Sequence, residues 1–454
     1  MNAAALHPEA DDRVLALGER GTLTRAGFWR RVQALRSELD TRPARRWALV
    51  CEDAGWFAAG LFALADPRRT VVLPQAPQAG SLSATGAKVD AVLTDRPGDF
   101  QGFTLLEARE PADSIPAKPQ QPDDAAAFEF YTSGSSGAPK CVPKTWSQLR
   151  LEVEALEQEW GASLGDAVVA GTVPHYHLYG LLFRILWPIH AGRRFITDLC
   201  LQAADLRAAA EHGRCIVVSS PAFLSRITAF TELPDAATVS AVFSSGAPLP
   251  DEAAERLVQQ WGPAAIEVYG STETGGVGWR AWDGGGEREL WRPIQGVVTE
   301  LREEAAGARL WVRSGCTWQG DWMPTGDLAR RRADGRFALL GRADDVVKFE
   351  DKRLSFGEMR ARLAQHDWVE DARLLLLPGR RKLIGAVVVL NGEGRAALAA
   401  GGKTAVRDAL RAWLRGSYEA LLIPRKWRFP ERLPDNEMGK TQQSALLTLF
   451  EDRP

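Results

Sequence analysis

Cysteine is scarce in this chain: five occur in 454 residues, at Cys51, Cys141, Cys200, Cys215 and Cys316, and no two stand in a CxxC spacing. That scatter excludes a zinc ribbon and a disulfide scaffold, and it suits a chain kept in a reducing compartment. Net charge is nearly absent too, because 56 Lys and Arg stand against 58 Asp and Glu for a formal charge of −2. A chain so balanced has no electrostatic reason to bind nucleic acid or an anionic membrane. No uninterrupted apolar stretch approaches the ~20 residues a spanning helix needs, so membrane insertion is not expected. The opening segment from Met1 to Asp12 is mixed and acidic, which does not read as a secretory leader. These absences leave a cytoplasmic enzyme as the expectation.

What is present reads as a large globular protein of two or three domains. Short β-rich apolar runs recur, as in Trp47-Ala48-Leu49-Val50, Thr70-Val71-Val72-Leu73, Ala91-Val92-Leu93, Ala167-Val168-Val169-Ala170, Cys215-Ile216-Val217-Val218 and Ser240-Ala241-Val242-Phe243. Between them lie amphipathic segments long enough for crossover helices, at 26–39, 146–160 and 251–261. Such alternation favours parallel sheets covered by helices. Past 284–286 the texture turns to shorter strand-like runs, including Arg309-Leu310-Trp311-Val312 and Phe337-Ala338-Leu339-Leu340, which predicts a small β-rich subdomain. The fold class expected is therefore α/β, with a large N-terminal domain over 1–342 of parallel-type sheets covered by helices plus the β-rich subdomain. A small α+β C-terminal domain over 343–454 follows, with helices at 358–365 and 405–414 and strands at 373–377 and 384–390. The Pro/Gln run at 118–122 reads as a linker and the Gly-rich 391–402 segment as a surface loop.

Chemistry concentrates first in Tyr131-Thr132-Ser133-Gly134-Ser135-Ser136-Gly137-Ala138-Pro139-Lys140. Glycines let a loop approach an anion closely, hydroxyls and amides donate to phosphate oxygens, and the lysine adds a compact positive charge. It is not a Walker A loop, since Lys140 follows Pro139 and the loop itself contains no Gly-Lys-Ser/Thr, which disfavours a P-loop phosphotransferase. A Ser/Gly-rich turn between a strand and a helix is by itself as often a plain connector, so its company decides. Downstream stand Glu267-Val268-Tyr269-Gly270-Ser271-Thr272-Glu273-Thr274-Gly275, Trp322-Met323-Pro324-Thr325-Gly326-Asp327-Leu328, Gly341-Arg342-Ala343-Asp344-Asp345-Val346-Val347-Lys348 and Gly439-Lys440-Thr441. Taken singly, a Thr-Gly-Asp is often a turn, a lone glutamate usually solvated and a lysine in a polar tail usually solvent-facing.

In this order and together, these motifs resemble those of the adenylate-forming enzymes: acyl- and aryl-CoA synthetases, peptide-synthetase adenylation domains and luciferases. The resemblance covers Ala127 to about Leu446, with a fainter N-terminal match at Leu23-Thr24…Phe28 and Trp47-Ala48-Leu49-Val50. It implies an AMP-forming acid–thiol ligase. A carboxylate attacks the α-phosphorus of ATP to give an acyl-adenylate and pyrophosphate, and a thiol then displaces AMP. That chemistry asks for neutralised phosphates, an oriented carboxylate and a dry pocket rather than a covalent protein nucleophile.

Carried over residue by residue, Thr132, Ser133, Gly134, Ser135, Ser136, Gly137 and Lys140 match the grip on the β- and γ-phosphates. Glu273 matches the Mg²⁺-linked glutamate, since a carboxylate beside polyphosphate needs a bridging cation. Thr272 matches the hydroxyl at the α-phosphate. Tyr269, Gly270 and the turn Gly246-Ala247-Pro248 resemble the adenine slot, and Asp327 resembles the acceptor of both ribose hydroxyls. Arg342 reaches the ribose or phosphate edge, and Lys440 bridges carboxylate and α-phosphate during adenylation. Asp344 matches the hinge of a mobile C-terminal domain. His177 matches a gate near the acyl carboxylate, against the alternative of a packed core histidine. The acid pocket is expected around His177, Tyr179, Phe223, Ser244, Ser245, Gly270, Gly275, Gly276 and Val277, a mixture that suits a flat, hydroxybenzoate-like aromatic acid.

One departure bears on the acceptor. After Lys348 the family usually carries a glycine where this chain has Asp351, although Arg353 is kept. An acidic side chain there would narrow the approach of a pantetheine arm. The chain is also short for the family, which sets a phosphopantetheinylated carrier protein beside CoA as the acceptor. The rival readings are a medium- or long-chain fatty acyl ligase, which needs a longer apolar channel, and a non-catalytic nucleotide-binding regulator. Intact Lys140, Glu273, Asp327, Arg342 and Lys440 speak against the regulator.

Overall fold

The computed structural model describes residues 11–84, 88–111, 115–133, 139–227, 234–282, 289–304, 307–349, 352–378, 383–434 and 443–451. Two large sheets organise the chain up to Arg342. The six-stranded sheet runs, edge to edge, through Leu105–Glu107, Ala91–Thr94, Arg46–Leu49, Thr70–Leu73, Ala127–Ser133 and Pro139–Thr145. All neighbours in it are parallel except the last pair, which forms a hairpin with Thr132 opposite Lys140.

The second sheet has 13 strands and changes character midway. Its parallel part contains Val14–Gly18, Phe195–Ile196, Val168–Gly171, Cys215–Ser219, Val239–Ser245 and Ala265–Ser271. From Ala265–Ser271 onward every pairing is antiparallel, through Gly275–Ala281, Leu290–Pro293, Phe337–Arg342, Met323–Arg331, Gly307–Arg313 and Val298–Glu304. The expected change of texture therefore marks the passage from crossover-linked parallel strands to a meander.

Helix formation follows local chemistry. Asp53 accepts from the Trp56 amide and caps Ala54–Leu64, whose residues are all buried beside both sheets. Thr145 and Gln148 form a reciprocal capping box that starts Trp146–Leu164, and Trp146, Leu149, Val153, Leu156 and Trp160 make its buried stripe. Burying a side chain of this size is worth roughly 1.5–3 kcal/mol, so the stripe fixes where the helix lies. One member of that face is charged: Glu152 is 5% exposed.

Residues after Arg342 build sheets and cores of their own. Val346–Phe349 and Lys352–Ser355 form a hairpin, and Val369–Leu377, Leu383–Leu390 and Lys426–Arg428 form a mixed three-stranded sheet. Met359, Leu363, Val388, Leu410 and Trp427 belong to a core cluster that draws nothing from the first 342 residues. The segment 391–402, expected to be a surface loop, is helical and opens Gly392–Arg415, with a kink at Gly402. Asn391 accepts from the Gly394 amide and caps it, and Ala, Leu and Arg after Gly394 are strong helix formers that outweigh the glycines. The 118–122 run has no regular structure, as expected.

Candidate active site

An ion pair joins the two sheets at the ends of their strands. Lys140, on the return strand of the 127–145 hairpin, places Nζ 2.6 Å from Glu273 Oε1. Glu273 stands on the turn between Ala265–Ser271 and Gly275–Ala281. That turn is tied internally: the Ser271 amide donates to Thr274 Oγ1 at 3.2 Å, the Thr274 amide donates to Ser271 Oγ at 3.2 Å, and Gly275 sits at φ +71°. A residue with a Cβ is strained at that φ, so glycine closes the turn. Burial raises the Glu273 carboxyl, but the hydrogen bond and charge of Lys140, with Ser271, outweigh it and hold the group below its ordinary range. It is therefore anionic at neutral pH, as a magnesium ligand must be.

A second polar cluster lies on the meander. Tyr269 donates its hydroxyl to Asp327 Oδ2 at 2.6 Å, while its ring packs against Trp291 and Phe337. Burial, then the Asp327 charge, pushes the Tyr269 phenol far up, so it remains a donor. Asp327 is fixed from behind: its amide donates to Thr325 Oγ1 at 3.2 Å, and Thr325 Oγ1 donates to the Leu310 carbonyl at 2.9 Å. Arg342 pairs with Asp327 across the strands, and its Nη1 lies 2.0 Å from where a Cβ on Gly326 would stand.

The turn Gly246-Ala247-Pro248 is exposed, with Gly246 at φ +98°. It is anchored at both ends, because Ser245 Oγ donates to the Val268 carbonyl at 2.8 Å and the Leu249 amide donates to Glu267 Oε2 at 2.8 Å. Glu267 in turn pairs with Arg280 at 2.9 Å.

Of the remaining expected residues, Thr132 is half-buried, and its Oγ1 donates to the Lys140 carbonyl at 3.4 Å. Gly134, Ser135, Ser136, Gly137, Asp351 and Lys440 lie outside the described residues, as do the side chains of Ser133, Arg353 and Asp344. Thr272 is half-buried on the same turn as Glu273. His177 is half-buried, begins the short helix Leu178–Gly180 and stacks with Tyr176 at 4.7 Å. Its neighbour His175 is a core residue: it packs on Phe57 at 4.5 Å, and its Nε2 lies 3.0 Å from the Cys51 carbonyl. Burial, with the Arg184 charge, lowers His175 to about 3.

Ser244 and Ser245, expected to share one pocket, point to opposite faces of their strand. Ser244, fully buried, lies on the face of Val242 and the core that includes Phe223. Ser245 shares the face of Phe243, where Trp160, Phe183, Trp187 and Trp279 form a continuous aromatic cluster, with Trp160–Phe243 centroids 5.2 Å apart and Trp160–Trp187 6.2 Å apart. Tyr179 joins this side, 4.7 Å from Phe183.

Sequence reasoning missed the layer beneath the site. Lys144 and Glu152 form a buried pair at 3.6 Å under the Glu273 turn. A glutamate set among Leu149, Val153 and Leu156 on an apolar helix face was the available signal. Among the described residues no group of three or more His, Cys, Asp or Glu is placed to hold a metal. A single carboxylate beside a polyphosphate is nevertheless the usual arrangement for Mg²⁺, which keeps waters and takes its other ligands from phosphate. No helix among the described residues is long and apolar enough to cross a membrane.

Comparison with known proteins bears on the family and the fold. Residues 11–310 match the family model described as AMP-binding enzyme. A 4-coumarate–CoA ligase of Rhodobacter capsulatus is 28% identical over 345 residues, covering 76% of this chain and 78% of that protein. A sulfoacetate–CoA ligase of Cupriavidus necator is 27% identical over 415 residues, covering 85% and 79%. The crystal structure of ATP-bound MatB from Rhodopseudomonas palustris superposes with a TM-score of 0.81 at 18% identity, covering 100% of this chain and 99% of that one. At that identity the likeness speaks for the fold.

Proposed function

The chain belongs to the AMP-binding enzyme family, and from that premise we propose that it is an ATP- and Mg²⁺-dependent acid–thiol ligase acting on an aromatic, hydroxybenzoate-like acid. The adenylate-forming fold and its CoA-ligase relatives make it an AMP-forming enzyme. The observation that carries the reading is the joining of the two sheets through Lys140 and Glu273, with Tyr269 on the strand that leads into the Glu273 turn and bonded to Asp327, the register partner of Arg342. A cation, an ionised carboxylate and a fixed pair of hydrogen-bonding groups are what a nucleoside triphosphate with bound magnesium requires.

In this reading Thr132, Lys140 and the 134–138 loop hold the departing pyrophosphate, and Glu273 would hold the Mg²⁺, which would supply charge neutralisation to the phosphates. Thr272 meets the α-phosphate. Asp327, oriented by Tyr269 and Thr325, accepts the ribose hydroxyls, and Gly246-Ala247-Pro248 covers the adenine. Lys440 steadies charge at the α-phosphorus while the carboxylate oxygen forms its bond and pyrophosphate leaves. Residues 343–454 act as a mobile domain that turns about Asp344 between the two half-reactions. A thiol then attacks the acyl carbon, releasing AMP and forming the thioester.

The acid is proposed to lie on the Ser245 face, near His177, Tyr179, Gly270 and Gly276. Support for a flat, short acid comes from the buried aromatic cluster of Trp160, Phe183, Trp187 and Phe243, which fills the space a long alkyl chain would need. Similarity to a 4-coumarate–CoA ligase supports an aryl acid as well. CoA is the proposed acceptor, with a phosphopantetheinylated carrier as the second, because Asp351 stands where the family keeps glycine. The test is ATP–pyrophosphate exchange across aryl and alkyl acids, followed by thioester formation with CoA against a phosphopantetheinylated carrier. Exchange strongest with hydroxylated aryl acids is expected. Exchange only with long alkyl acids would overturn the substrate reading, and none with any acid would overturn the enzymatic one.

A further inference from the structure

Beneath the Glu273 turn lies a buried charge pair. The side chains of Lys144 and Glu152 are 1% and 5% exposed, and Nζ stands 3.6 Å from Oε1. Lys144 follows Lys140 by four residues on the same strand, Pro139–Thr145. It donates to the Cys316 carbonyl at 2.8 Å and reaches the Glu273 carbonyl at 3.5 Å. Glu152, on Trp146–Leu164, accepts from the Gly276 amide at 3.1 Å. Its carboxylate lies directly over Gly275, where an added Cβ would come within 2.7 Å of it. The pair therefore holds the turn at two points, the carbonyl of residue 273 and the amide of residue 276.

Burying two charges is costly, and apolar replacements of similar volume are often neutral or stabilising. A buried pair kept at this place thus points to geometry rather than to net stability. We propose that Lys144 and Glu152 are positioning residues that set the Glu273 carboxylate against Lys140 and thereby tune the enzyme's use of magnesium–ATP. The inference rests on Glu273 being the magnesium-linked carboxylate. Because the pair grips the turn from the Glu273 carbonyl to the Gly276 amide, its loss should act first on the cation and nucleotide, and on the acid only through Gly276.

The double variant Lys144→Met/Glu152→Leu removes both charges while keeping volume. It is expected to melt within a few degrees of the parent, yet to need about tenfold more Mg²⁺ for half-maximal pyrophosphate exchange, in line with the loss of groups that orient a metal ligand. The KM for ATP should rise with it, and by a larger factor than the KM for the acid. A folded double variant with parental Mg²⁺ and ATP dependence overturns the proposal, and so does a fall in kcat alone. Should the double variant not fold, Glu152→Gln, which preserves shape and an acceptor for the Gly276 amide, is read by the same outcomes. Glu273→Gln serves as the control. If it leaves the Mg²⁺ requirement unchanged, the reading of Glu273 itself fails; if it raises the requirement and the pair variants do not, only the present inference fails.

Discussion

The ammonium of Lys140 meets the carboxylate of Glu273 at 2.6 Å, although 133 residues separate them and they belong to different sheets. Lys140 is largely exposed, with 59% of its side chain open to solvent, and such pairs contribute little to stability. The contact is informative because it brings a phosphate-type loop and a metal-type carboxylate to one point. Lys140→Ala should therefore leave the melting temperature nearly unchanged while raising the KM for ATP about 10- to 100-fold, the range for losing a hydrogen bond to a charged group. Thermal melting alongside ATP-dependent pyrophosphate exchange checks both halves.

Gly326 leaves room for Arg342. A methyl at residue 326 would stand 2.0 Å from Nη1 of Arg342, which is the far end of a flexible, exposed side chain. Gly326→Ala should thus displace the guanidinium at little cost in stability and lower kcat/KM for ATP about tenfold or more. Arg342→Lys should not substitute, because an ammonium lacks the planar fork. Steady-state kinetics at saturating acid measures this.

His175 supplies a pH dependence of stability. Its folded value, lowered to about 3 by burial and the Arg184 charge, lies below the ~6.5 of an unfolded histidine. The unfolded chain then binds the extra proton, so stability is fully present above about 6.5 and declines as pH falls toward 3. Between pH 6.5 and 5.0 the parent should lose about 1.5 kcal/mol more than His175→Asn. Burial also lowers His190 and His366, but both remain in the two proteins and cancel in the difference. Urea unfolding at the two pH values reads the effect.

In the proposed mechanism Lys440 acts in adenylation and not in thiol transfer. Lys440→Ala should abolish acid-dependent pyrophosphate exchange while transfer from a presynthesised acyl-adenylate to the thiol proceeds at a nearly parental rate. Equal loss of both would sink the assignment of Lys440 to the α-phosphate.

Much of this was legible in the sequence, for identifiable reasons. Strands such as Thr70–Leu73 and Cys215–Ser219 are short β-branched runs buried on both faces, and helix Asp251–Trp261 shows its apolar stripe directly. The motifs that hold Lys140, Glu273, Tyr269 and Asp327 were legible because phosphate- and cation-binding chemistry draws on few residue types in a local order. Three features were not. The helix at Gly392–Arg415 hides behind its glycines, whose effect is overcome by the Asn391 cap and the alanines. The split of Ser244 from Ser245 depends on strand register, which adjacency in sequence conceals. The Lys144–Glu152 pair joins a strand to a helix through tertiary packing, and only the misplaced charge on an apolar face hinted at it.

Attack of a carboxylate on the α-phosphorus is tested most directly by following its oxygen. With an aryl acid labelled with ¹⁸O in its carboxylate, one full turnover with ATP and thiol should place one labelled oxygen in AMP, because the acyl carbon–oxygen bond breaks when the thiol displaces it. Label in orthophosphate, or ADP as the nucleotide product, would contradict adenylation.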